Sequence, residues 1–84
     1  MNYRNVLNKG TSILKKFSIP SAQIDAELLL SLALKKNRER IILNLEENLN
    51  TFQAKNYFQL IERRKKREPI SIILGKKFFG KRNI

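Results

Sequence analysis

Residues Ile19 to Leu34 read IPSAQIDAELLLSLAL, and how this stretch is read decides the fold. Pro20 restricts Ile19 to extended backbone, and Ser18 and Ser21 supply turn and capping oxygens, so one helix ends before this point and another begins after it. The spacing predicts the second helix over about 22–35. Asp25 and Glu27 fall in its first turns, the favourable sign for the positive end of a helix dipole, and the run Leu28 to Leu34 is apolar almost all round. Such a helix is expected at the centre of the molecule, with Asp25 and Glu27 in dipole and surface roles.

Upstream, Tyr3, Val6, Leu7, Gly10, Ile13, Leu14 and Phe17 recur three and four apart, one stripe of a first helix over about 3–17. A glycine on that stripe costs about 0.5–1 kcal/mol relative to alanine, so Gly10 points to another helix approaching closely there. Downstream, Asn37 is placed to cap a short helix over about 38–45 carrying Ile41, Ile42 and Leu45 on one face. Asn50 followed by Gln53 reads as a capping box opening a fourth helix over about 51–67, with Ala54, Tyr57, Phe58, Leu60 and Ile61 inward. Tyr3 and Tyr57 are expected in the core with their hydroxyls at its edge. Pro69 fits the first position of a short fifth helix and Gly75 its stop. Phe78 and Phe79 before Gly80 read as the start of a strand and turn. The fold class is all-α, a small bundle of four or five helices with a short extended C-terminal tail.

At 84 residues the chain is long enough for one small core and too short for a stack of βαβ units, each of which uses about 30 residues. Cysteine and histidine are both lacking, which removes disulfides, soft metal ligands, thiol nucleophiles and the usual base near neutral pH. Asp25 and Glu27 stand two apart on a helix and diverge by about 200°, so they cannot share one substrate atom. No catalytic, cofactor-binding or metal-binding residue is assigned, and the chain alone is not expected to be an enzyme. No apolar run approaches the ~20 residues that span a bilayer, and no secretory leader is visible, so a cytoplasmic protein without a membrane partner is expected.

The formal net charge is +11, and nine of the eighteen basic residues lie in the last 22 against a single acid, Glu68. Arg63, Arg64, Lys65, Lys66 and Arg67, joined by Lys76 and Lys77, are the candidate partner-binding residues. A solvated helix end and the compositional drift of an AT-rich genome offer the competing explanation. Five consecutive helical residues span the whole circumference, so at least one should lay its stem on the core and point its head outward. Only Phe78 and Phe79 could interleave aromatics with the cations, and no nucleic-acid-binding signature is present, so nucleic acid is the disfavoured partner. A basic helical module that binds RNA or the ribosome is kept as the alternative.

IPSAQIDAELLLSLAL (Ile19 to Leu34), then Arg63 and Arg64, then EPISIILG (Glu68 to Gly75) and FFG (Phe78 to Gly80) together resemble the N-terminal domain of the release factor glutamine methyltransferases, the HemK/PrmC family. The family commonly has glycine where Arg67 stands and tyrosine where Ile72 stands. The resemblance implies a helical substrate-recognition domain over 1–75, with 76–84 starting a β linker toward a methyltransferase domain that these residues do not contain. That second domain would bind S-adenosylmethionine and methylate the glutamine of the GGQ motif in peptide-chain release factors. The implied partners are a release factor and the protein's own catalytic domain. Pro69, Gly75, Phe78, Phe79 and Gly80 are the expected joint between the two domains.

Overall fold

The computed structural model describes the backbone of residues 1–79 and the side chains of residues 1–75. Its elements are α1 (Tyr3–Lys16), α2 (Ala22–Leu34), α3 (Arg38–Ile42), α4 (Thr51–Lys65) and α5 (Ile70–Phe79). Among the described residues the only strand-like pairing is an isolated antiparallel bridge between Asn2 and Asn48. The all-α bundle expected from the sequence is what forms.

Three of the helices, α1, α3 and α4, begin where an asparagine side chain can take up a first-turn N–H that has no partner within the helix. The Asn2 side chain accepts from Asn5 N at 2.9 Å, and Asn37 does the same for Arg40. Asn50 and Gln53 form the reciprocal capping box, at 2.8 and 3.0 Å. Two more donors at the start of α1 go to the loop before α4, Tyr3 N to Glu47 O at 2.8 Å and Arg4 N to Leu45 O at 3.0 Å. That loop delivers Thr51 beside the start of α1.

Ser21 departs from its expected role. It precedes α2 but makes no side-chain cap; its hydroxyl donates instead to Asp25 Oδ2 at 2.8 Å. α3 is also shorter than expected, because i→i+3 bonds such as Asn44 N to Ile41 O tighten the chain into turns after Ile42.

The three long helices end alike. Ser18, Lys35 and Arg67 adopt positive φ, at 61°, 58° and 72°. After α1 the pair Ser18 N to Lys15 O and Ile19 N to Leu14 O closes a Schellman motif, and equivalent pairs follow α2 and α4. None of these left-handed positions is a glycine, although the conformation costs other residues about 1 kcal/mol.

Gly10 and Phe17 on α1 meet α4 at Tyr57 and Ile61 and at Lys65 and Arg67, respectively, so the two helices run in the same direction. α2 runs against both: Lys36 at its end reaches Tyr3 at the start of α1, and Asp25 near its start reaches Arg64 near the end of α4. The core between them holds Val6, Leu14, Leu29, Leu30, Tyr57 and Ile61, each at most 1% exposed. α2 is the central helix that its apolar run predicted.

The close approach expected at Gly10 is present. A Cβ there would collide with the Tyr57 hydroxyl and press on the Ile61 side chain. The Tyr57 hydroxyl is inside the core and not at its edge, and it donates to the Ala26 carbonyl at 3.1 Å. Burial, with the nearby Glu27 charge adding to it, pushes the phenol well above the usual tyrosine range.

α5 turns at Gly75, whose φ of 69° and ψ of −179° break the helix where a stop was expected. The backbone resumes helical form over the residues up to Phe79, so the extended start expected at Phe78 and Phe79 does not occur. No neighbouring strand exists among the described residues to take up their backbone groups, which a helical turn satisfies locally. Gly80 and the rest of the expected β linker lie outside the described residues.

Gly10→Ala should therefore lower stability by about 1–3 kcal/mol despite the better helix propensity of alanine. Thermal unfolding checks this, and adding Tyr57→Phe should make the double variant lose less than the sum of the singles. Lys35→Gly should raise stability by about 1 kcal/mol by relieving the left-handed backbone. Stability should be level up to about pH 9 and fall above about pH 10, where the unfolded tyrosine ionises and the buried Tyr57 does not; Tyr57→Phe should flatten that limb of the unfolding curve.

Candidate partner-binding surface

Four of the five consecutive cations are engaged inside the molecule. Arg63 grips Glu68 with two bonds, Nε to Oε1 at 2.9 Å and Nη2 to Oε2 at 2.6 Å, which holds the Glu68 carboxyl below the usual carboxylate range. Arg64 is the member that lies on the core. Its Nε donates to Asp25 Oδ2 at 2.8 Å and its Nη1 to the Glu68 carbonyl at 3.1 Å, with the side chains 16% and 3% exposed.

Asp25 is therefore not a surface acid. It is buried, receives both Ser21 and Arg64, and ties the start of α2 to the end of α4. The sequence shows its helix position but not a partner 39 residues away. Glu27 pairs with Arg38 at 3.2 Å.

Lys65 pairs with Glu62 at 2.9 Å, and its ammonium lies 4.8 Å from the centre of the Phe17 ring. Arg67 donates from Nη2 to the Phe17 carbonyl at 2.8 Å. Lys66, the C-cap of α4, is exposed and makes no ion pair among the described residues. Much of the cationic run thus works as mortar between the ends of α1, α2 and α4. The side chains of Lys76 and Lys77 lie outside the described residues.

The expected joint begins at Pro69, which stands immediately before α5 and whose carbonyl accepts from Ile72 N at 3.0 Å and Ile73 N at 3.1 Å. Ile73 and Leu74 are buried, so the first turn of α5 is anchored to the bundle up to Gly75. A Cβ at Gly75 would meet nothing within 4 Å, so its requirement is the backbone turn itself. The side chains of Phe78 and Phe79, and Gly80 altogether, lie outside the described residues.

A polar groove of about 430 Å³ runs between α1, α2 and α3, with Arg4, Thr11, Lys15, Gln23, Glu27 and Ile42 among its walls. Its charges are largely matched, Arg4 by Glu46 at 2.9 Å and Glu27 by Arg38. Among the described residues no group of His, Cys, Asp or Glu is placed to hold a metal ion, and no helix is long and apolar enough to cross a membrane.

Residues 5–75 match the family model described as the PrmC N-terminal domain. The chain is 45% identical over 75 residues to a release factor glutamine methyltransferase of Clostridium botulinum, covering 89% of this chain and 26% of that protein. It is 39% identical over 79 residues to a bifunctional methyltransferase of Rickettsia felis, covering 94% of this chain and 15% of that protein. With a release factor glutamine methyltransferase of Coxiella burnetii the identity is 37% over 81 residues, covering 96% and 27%. The chain thus spans about a quarter or less of the length of these relatives. No solved structure matches it.

Replacing Arg64 by methionine should cost about 3–5 kcal/mol, because it leaves the Asp25 carboxylate buried without its partner. Asp25→Leu together with Arg64→Met should recover most of that loss. Urea unfolding of the two single variants and the double variant measures the coupling.

Proposed function

We propose, from the premise that this chain belongs to the PrmC N-terminal domain family, that it is the non-catalytic part of a protein-(glutamine-N5) methyltransferase and helps bind and orient a peptide-chain release factor. The observation that carries this reading is where the family match stops. It ends at residue 75, and Gly75 is where α5 breaks with φ of 69° after the last buried turn. A packed bundle followed by a glycine turn suits a domain that holds a protein substrate and hands the chain on to a second domain.

The role is positional. Holding a release factor so that its GGQ glutamine enters a neighbouring active site turns binding energy into orientation, and well-oriented reactants gain several kcal/mol toward the barrier, up to about 7–11 kcal/mol in the best intramolecular cases. Rigidity serves this role, and the Asp25–Arg64 pair and the Gly10–Tyr57 contact supply it.

The relatives' names imply S-adenosylmethionine as methyl donor, and the described residues do not fit it. Of the two glycines among them, Gly10 is filled by Tyr57 and Gly75 sits at a helix break, so neither belongs to a glycine-rich loop that could cradle the cofactor. The cofactor would be bound by the catalytic domain that such relatives carry in their remaining length.

The charge of +11 favours one second reading, an RNA-binding module. Titrating the 84-residue chain with the release factor and with single-stranded RNA across a salt series separates the two. Saturable release factor binding with weaker RNA binding is the expected outcome. RNA binding with a steep salt slope and no release factor binding would replace the proposal.

A further inference from the structure

We propose that the face shared by α1 and α4 on the side away from α2 docks an acidic segment of the protein partner, with Lys9, Lys16 and Lys55 as its rim and Phe17 and Phe58 in its floor. The partner's identity rests on the release factor reading; the position of the surface does not.

The face follows from which sides of the two helices are already occupied. On α1, Gly10 and Phe17 point at α4, and Thr11 and Lys15 line the groove toward α2 and α3. At about 100° per residue, Lys9, Ile13 and Lys16 fall on the opposite flank. On α4, Tyr57 and Arg64 reach α2 and Lys65 reaches Phe17, which leaves Lys55, Phe58 and Glu62 on the flank beside α1. Because the helices are parallel, these two flanks adjoin along their length, and Lys66 and Arg67 close the end.

Lys9, Lys16 and Lys55 are exposed, and no ion pair engages them among the described residues. Phe17 is 44% exposed, while Ile13 and Phe58 are half-buried against the core. The two helix C-termini that meet here carry about −0.5 charge each, which accounts for part of the positive charge as structural compensation. Six cations, Lys9, Lys16, Lys55, Lys65, Lys66 and Arg67, stand against one acid, Glu62, so a surplus of roughly four positive charges remains after that compensation. Elsewhere acids are drawn onto arginines, as with Glu46 on Arg4 and Glu27 on Arg38.

The chemistry favours an acidic polypeptide over nucleic acid. Arg63 and Arg64, whose planar forks would suit phosphate, are closed on Glu68 and Asp25, and Arg67 is held by a backbone carbonyl. The remaining rim is lysine. Phe58 is half-buried against the core and the Phe17 ring lies beside the Lys65 ammonium, a floor for apolar side chains and not a platform on which bases stack in sequence.

The test compares Lys9→Glu/Lys55→Glu with Lys35→Glu/Arg40→Glu, an equal charge change away from this face, in titrations with the release factor and with oligouridylate RNA. Circular dichroism confirms that each variant folds, and Lys9→Gln/Lys55→Gln replaces the first pair if it does not. The expected result is release factor binding weakened at least about tenfold by the first pair and less than about threefold by the second. Equal effects of the two pairs would overturn the surface while leaving the release factor reading intact. No release factor binding by the unaltered chain would overturn both, and tighter binding of RNA than of release factor would overturn the choice of partner.

Discussion

The contact of Tyr57 with the bare backbone at Gly10 sets the geometry on which the rest of the molecule depends. One side chain fills the space a Cβ would take on α1 and bonds to the Ala26 carbonyl on α2, so three helices are fixed by one ring. A phenol at that depth must have its hydroxyl satisfied, since an unpaired buried hydroxyl costs roughly 1–3 kcal/mol. The Ala26 carbonyl meets that need in the arrangement that forms, with α2 running against α4. Helix direction, core composition and the identity of residue 10 are therefore linked choices.

The Asp25–Arg64 pair adds a second fixed point near the opposite end of α4. Its value is geometric more than energetic, because the desolvation of two charges offsets most of their attraction. Through its bond to the Glu68 carbonyl, Arg64 also fixes where the chain leaves α4 for Pro69 and α5. Together the two contacts make a bundle whose exit direction is defined up to Gly75.

Local signals were legible in the sequence where they are short-range. The capping box of Asn50 and Gln53, the stop at Gly75 and the approach at Gly10 each rest on a few adjacent residues and the period of a helix. Asp25 was misread as a surface acid because its arginine arrives from 39 residues away. Ser21 looks like a cap because its type and place fit one, yet its hydroxyl is turned to donate to the Asp25 carboxylate and accepts no first-turn N–H. The left-handed turns at Lys35 and Arg67 carry no glycine to announce them. The run Arg63 to Arg67 suggests a partner surface in the sequence because those cations are adjacent there. Folding closes Arg63 and Arg64 on acids and sets Lys9, Lys16 and Lys55 beside one another, a grouping that depends on two helices being parallel.

Amide hydrogen exchange of the chain, free and saturated with release factor, tests the docking face most directly. Exchange slowed chiefly along α1 and α4, around Lys9 to Phe17 and Lys55 to Lys66, is the predicted result. Slowing confined to α3 and the loop before α4, or none at saturation, would contradict it.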